Sequence, residues 1–154
     1  MTIKKSMTEL QRMDVASYQE SYFENNVLVL ENVRSAYNVG SIFRSADCFG
    51  ISKIYLCGIT CKTDHRELQK TALGAELSVA SEYNADIQSA IRLLKEAGYT
   101  IIALEQTHES LSLSTYEWSR DGKYAFIFGN EVEGVSEEVL SMSDIHIEIP
   151  QIGT

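Results

Sequence analysis

The sequence predicts an α/β domain with a mainly parallel sheet flanked by helices. Three observations predict it. Short apolar runs at Val27–Leu30, Tyr99–Leu104 and Tyr124–Phe128 lack polar alternation, the pattern of strands buried on both faces. Segments with helical spacing separate these runs. Gly50 and Gly98 stand where such helices should stop.

Along the chain, residues 6–24 read as one helix with Met7, Leu10, Tyr18 and Tyr22 as inward positions. Val27–Leu30 is the first strand. Asn38 is a candidate cap for a helix carrying Val39, Ile42, Phe43, Ala46 and Phe49 on one face, closed by Gly50. Lys53–Cys57 is a second strand, 64–73 a short helix, and Leu77–Ala80 another short strand. Ile87, Ala90, Ile91 and Leu94 follow helical spacing ahead of the strand Tyr99–Leu104. The strand Tyr124–Phe128 ends at Gly129. Ser136 caps a last helix with Glu137 and Glu138 in its first turn, where the helix dipole favours them. Ile145–Ile149 is the final strand. In such sheets a ligand sits beyond the carboxyl ends of the strands, so the loops after Leu30, Leu104, Phe128 and Ile149 are the places to look.

The 154 residues suit one domain, and the 44% hydrophobic and 23% charged fractions are those of a globular chain. No run reaches the roughly 18 apolar residues of a membrane helix, and Met1–Ser6 opens no secretory signal. The expectation is a cytoplasmic protein with no membrane association. The 3 cysteines form no CxxC pair, and reduced thiols without a metal are expected; zinc at Cys57 and Cys61 is the alternative. Net charge is −9, which weighs against nucleic acid. Yet residues 27–75 hold six Lys/Arg against four Asp/Glu, whereas 76–154 hold four against fourteen. Screening over about 8 Å lets a local basic face meet phosphates on an acidic protein.

The segment Asn38-x-Gly40-x-x-x-Arg44-Ser45-Ala46 is neither a Rossmann fingerprint nor a Walker loop. As chemistry it is a strand end, a polar loop and a helix start whose free N–H groups favour an anion. Gly40 would allow close backbone approach, and the Arg44 fork suits phosphate. An ordinary capped helix with a surface arginine reads equally well. Arg34, His65, Arg66 and Lys70 are candidate RNA-backbone contacts, or else a solvated face. His108 and His146 read as structural.

Three segments together carry a resemblance. Asn38–Ala46, Phe128-Gly129-Asn130-Glu131-Val132-Glu133-Gly134-Val135 and Ile149-Pro150-Gln151-x-Gly153 resemble, in order and spacing, the signatures of SpoU (TrmH) RNA 2′-O-ribose methyltransferases of the SPOUT superfamily. The resemblance implies a trefoil-knotted α/β fold, a homodimer with its active site across the interface, and S-adenosylmethionine (AdoMet) as methyl donor to a ribose 2′-hydroxyl of tRNA or rRNA. It implies AdoMet contacts at Leu104, Glu105, Gly129, Asn130, Gly134, Ile149, Pro150 and Gln151, and catalytic roles for Arg44, Asn38 and Glu131. Asn38 would orient Arg44 or the ribose, and Glu131 would hold the arginine or the partner's site. Residues 1–26 would be an N-terminal helical extension and 27–154 the methyltransferase domain. The family's third motif continues past Gly153, so a natural chain about 20 residues longer, and a knot left incomplete here, are expected by analogy. The competing readings are a non-catalytic SPOUT-like RNA-binding protein and an α/β enzyme for a small metabolite.

Overall fold

A computed structural model describes residues 4–6, 8–21 and 23–151, with side-chain packing for 4–6, 8–18 and 25–151. Seven strands form one sheet: β1 (Phe23–Glu31), β2 (Ile51–Cys57), β3 (Ala80–Asn84), β4 (Thr100–Leu104), β5 (Leu111–Ser112), β6 (Tyr124–Phe128) and β7 (Ile145–Glu148). Their order is β3-β2-β1-β6-β4-β7-β5, and every pairing is parallel. Among the described residues six α-helices accompany them, α1 before the first strand and the rest between strands: α1 (Val15–Ser21), α2 (Ala36–Phe49), α3 (Arg66–Ala72), α4 (Ala75–Ser78), α5 (Ile87–Glu96) and α6 (Glu137–Met142).

The unbroken apolar runs have a direct structural reason. Val27 and Val29 on β1 point into one core with Ala90, Ile91 and Leu94 of α5 and Val139 of α6. Leu28 and Leu30, one residue out of phase, point into the opposite core with Val39 and Phe43 of α2 and Leu68 of α3. Successive side chains alternate faces, and both faces are covered, so neither position tolerates a polar residue. The chain winds outward from β1 through β2 to β3, then returns through α5 to the other side. Right-handed crossovers put helices on opposite faces when the winding direction reverses. The reversal leaves a slot between β1 and β4 that β6 fills.

Local signals set most element ends. The Ser35 hydroxyl accepts from Asn38 N (3.2 Å) at the start of α2, and Gly50 ends it with φ 68°. Asp86 caps α5 and Ser136 caps α6 by accepting from Gln88 N and Val139 N. Gly98 follows α5 with φ 84°.

Four expectations need correcting. The helix over 6–24 is instead a short 3-10 turn (Thr8–Leu10), α1, and a first strand that begins at Phe23. Tyr18 does pack inward, its hydroxyl donating to the carbonyls of Ala46 (3.2 Å) and Ile51 (3.1 Å), whereas Leu10 is exposed. Met7 and Tyr22 lie outside the described residues. Asn38 does not cap α2; Ser35 does, because a cap accepts from the N–H three residues on and leaves Asn38 inside the first turn. Leu77 and Ser78 instead end α4, and the strand starts only at Ala80. Phe49 is 76% exposed, since it is the last residue of α2 and overhangs the core.

Candidate active site at the carboxyl edge of the sheet

All seven strands run the same way, so their carboxyl ends share one edge. The order β1-β6-β4-β7 makes neighbours of the loops after Glu31, Phe128, Leu104 and Glu148. The described residues of the three motif segments, far apart in sequence, leave the sheet along this edge.

The loop after β6 is folded back on itself. Asn130 N donates to Gly134 O (2.9 Å) and Gly134 N to Asn130 O (3.0 Å). The Asn130 side chain closes the turn, its Oδ1 accepting from Val132 N (2.9 Å) and Glu133 N (3.2 Å). Its Nδ2 donates to Asn32 O (2.9 Å), tying this loop to the one after β1. Asn32 itself has φ 55°, and its Oδ1 accepts from Ile59 N (3.1 Å). A Cβ at Gly129 would strike the backbone of Gly134 and Val135, and one at Gly134 (φ 70°) would strike the Glu105 carboxylate. Only glycine permits that closeness. Val132 at the loop tip is 83% exposed.

Glu131 joins this loop to α2. Its Oε1 accepts from Ser35 N (3.1 Å) and from Asn38 Nδ2 (3.2 Å). Partial burial pushes its pKa up, but hydrogen bonds from its own backbone, Ser35, Asn38 and the Arg34 backbone outweigh that and hold it below 4.5. A carboxylate over the N-terminus of a helix is also favoured by the helix dipole.

Two further carboxylates brace the edge. Glu105 Oε2 accepts from Val135 N (2.9 Å), while its own N–H donates to Ile147 O (3.1 Å). Glu31, only 4% exposed, accepts from Ser136 Oγ (2.6 Å) and Ser136 N (3.0 Å), so the end of β1 holds the start of α6. Thr60, also buried, donates to Leu30 O (2.9 Å) and accepts from Val33 N (3.1 Å).

The predicted residues thus divide. Asn38, Glu131, Leu104, Glu105, Gly129, Asn130, Gly134, Ile149, Pro150 and Gln151 all lie along this edge; Gly153 is outside the described residues. Arg44 is exposed and has no hydrogen bond or ion pair among the described residues. Six residues at 100° each set it about 120° around α2 from Asn38. Within this chain Asn38 therefore bonds to Glu131 and not to Arg44, and Glu131 does not hold the arginine. Gly40 also has a different role: a Cβ there would lie 2.6 Å from Leu68 O, so the close approach is between α2 and α3. His65 Nδ1 accepts from Glu67 N (3.2 Å) and caps α3; Lys70 pairs with Glu67 (2.6 Å), which also accepts from the Tyr37 hydroxyl (2.8 Å). Arg34 and Arg66 are exposed. His146 contacts Leu140 O (3.0 Å) and Thr107 Oγ1 (3.2 Å), a structural setting. No group of three or more metal-type ligands occurs among the described residues, and no described helix is long and apolar enough to cross a membrane.

Sequence reasoning missed Glu31, Ser35 and Thr60. Ser35 had a local signal, a serine three residues before the residue whose N–H it accepts. Glu31 had none, because Ser136 lies 105 residues away.

A parallel α/β sheet with its motif loops gathered on one edge is the architecture of the SPOUT class. The chain belongs to the SpoU rRNA Methylase family, whose model matches residues 25–154. It is 27% identical over 149 residues to a tRNA (guanosine(18)-2′-O)-methyltransferase of Thermus thermophilus, covering 97% of this chain and 75% of that one. A tRNA (guanosine(18)-2′-O)-methyltransferase of Mus musculus is 27% identical over 151 residues, of which this chain spans only 9%. The AdoMet-bound rRNA methyltransferase structure from Sinorhizobium meliloti superposes with a TM-score of 0.78 at 25% identity, over 88% of this chain and 52% of that one.

Proposed function

We propose that this chain, acting as a cytoplasmic homodimer, transfers a methyl group from AdoMet to a ribose 2′-hydroxyl of tRNA or rRNA. The observation that carries the reading is that the described residues of all three motif segments leave the sheet along one edge, in a chain of this family.

The residues at β4, β6 and β7 fit the donor. Leu104 and Ile149 offer partly exposed apolar surface, 55% at Ile149, beside backbone polar groups of Gly129, Asn130, Gly134, Glu105, Pro150 and Gln151. That mixture suits an adenosine, with apolar contact to the ring faces and backbone groups at the edges. When bound, AdoMet supplies an electrophilic methyl carbon. The ribose hydroxyl is a poor nucleophile, and its proton would have to pass to solvent water as its oxygen takes the methyl group and the methyl–sulfur bond breaks. Arg44 keeps its proton at all working pH values, since a guanidinium pKa exceeds about 12. Its work is therefore to fix an RNA phosphate and stabilise the developing negative charge. Glu131 and Asn38 hold the start of α2 against the β6 loop, which sets where Arg44 stands. In the homodimer that the family resemblance implies, the outward-facing Arg44 would serve the site of the second copy.

The test uses methyl-labelled AdoMet with unmodified tRNA and rRNA transcripts. A 2′-O-methyl group blocks alkaline cleavage, so label should appear in alkali-resistant dinucleotides. Label confined to mononucleotides would mean base methylation and overturn the reading. Arg44→Ala should lower turnover about 100-fold or more while AdoMet still binds; near-native turnover would remove Arg44 from the mechanism. Light scattering should give twice the 17.3 kDa chain mass.

A further inference from the structure

At the opposite edge of the sheet, the amino ends of β1 and β6 border a cleft of about 270 Å3 lined in part by Asn26, Trp118, Arg120, Tyr124 and Phe126. Asn26 pairs with Tyr124 in the β1–β6 register, five residues before Glu31, so the cleft lies roughly 16 Å along the strand from the motif loops.

The wall of this cleft is built and braced without a ligand. The Trp118 ring packs edge-on against Tyr116 (4.6 Å between centroids) and Tyr124 (5.2 Å), and tilted against Phe126 (5.6 Å). Ser119 N donates to the Tyr124 hydroxyl (2.9 Å), and Gly122 N donates to Ser119 O (3.2 Å). Gly122 sits so close to the Tyr124 ring that no Cβ fits. Trp118 nevertheless remains 38% exposed. Arg120 has no hydrogen bond or ion pair among the described residues, and Asp121 is the acidic neighbour on the same turn. Asn26 Oδ1 is shut off from solvent and has no hydrogen-bond partner. Nothing internal fixes that amide, so rotation about χ2 can turn either a donor or an acceptor toward the cleft.

We propose that this cleft binds one unpaired nucleobase of RNA, stacked on Trp118, with its edge on the Asn26 amide and its phosphate on the Arg120 guanidinium. The proposal rests on the reading of the chain as an RNA methyltransferase, which makes RNA the source of the base. Indole faces stack every base, and unpaired bases are the ones proteins splay out and read. A cleft of about 270 Å3 has room for one ring system. Its distance from the motif loops makes it an anchor that grips RNA away from the methylated nucleotide.

Trp118 is the chain's only tryptophan, so its emission reports this cleft alone. The full chain is titrated with single-stranded 12-mers of oligo(U) and oligo(A), and with a 12-mer duplex, at fixed salt. Saturable quenching by the single strands is expected, with Kd raised about tenfold in Arg120→Ala, an exposed substitution that leaves the fold intact. No saturable quenching, equal quenching by the duplex, or an unchanged Kd in Arg120→Ala would overturn the proposal. Methylation is measured on the same preparation. Activity without quenching refutes the cleft and spares the enzyme; quenching without activity upholds the cleft and refutes the enzyme.

Discussion

Gly40→Ala separates two roles for a motif glycine. An ideal Cβ at position 40 lies 2.6 Å from Leu68 O, 2.8 Å from Thr71 Cβ and 3.1 Å from Ala72 N. Comfortable contact begins near 3.5 Å. Two of the three atoms are α3 backbone and cannot rotate aside, so α2 and α3 must part by roughly 0.9 Å against that limit. The separation loosens Phe43 and Val39 from Leu68 and Ala72, all buried in one core. Overpacking of this kind costs about 1–3 kcal/mol, and alanine's better helix propensity returns about 1 kcal/mol. With the backbone clash toward the upper end, a net loss of about 1–2 kcal/mol is expected. Urea unfolding followed by circular dichroism reads it as a midpoint lowered by roughly 0.5–1 M, taking m near 2 kcal/mol/M. AdoMet affinity of the folded variant should stay within about twofold, since Gly40 faces α3 and not the sheet edge. A variant as stable as the parent, or one of native stability with tenfold weaker AdoMet binding, would refute the packing role.

Three other outcomes follow from the same edge. Ser136→Ala removes both the α6 cap and a partner of the buried Glu31 carboxylate, so a loss of about 2–3 kcal/mol is expected in the same urea assay; a change below about 0.5 kcal/mol would dismiss the brace. Glu131 has its folded pKa held below 4.5, so its contribution is fully present above that value and is lost as pH falls through the lower folded value. Melting temperatures between pH 5 and 3 should fall more steeply for the parent than for Glu131→Gln; parallel curves would mean the carboxylate is not held. Burial, then the nearby Glu31, pushes the Cys57 thiol up to about 12, so a disulfide reagent at pH 8 should label exposed Cys48 first and Cys57 only on unfolding. Fast labelling of Cys57 in the native protein would contradict its burial.

How far the chain could be read depended on where each residue's partner lies. The central strands were legible because burial on both faces keeps out polar residues, as at Val27–Leu30, whereas the exposed, polar β3 and the two-residue β5 carry no such run. The end of α5 and the start of α6 were legible because Gly98 and Ser136 act within four residues of themselves; the Asp86 cap of α5, equally local, was missed. The N-terminal segment misled because Tyr18 and its neighbours fit a helical period, while pairing with β2 and β6 draws the chain into a strand at Phe23. Local propensity yields to tertiary contact there. Among site residues, the three motif segments stood out as strings of unusual chemistry, and all three reach the same edge.

The sequence by itself determined an α/β chain with parallel strands, the family resemblance, and which residues carry chemistry. Only the tertiary structure decided how those residues are joined. Insertion of β6 between β1 and β4 brings Glu131 onto Asn38 and Ser35, and Ser136 onto Glu31. The packing of α2 on α3 turns Gly40 to Leu68, and Arg44 faces outward. These are pairings between residues 28 to 105 positions apart, set by strand order in the sheet, and no local pattern of residues encodes strand order.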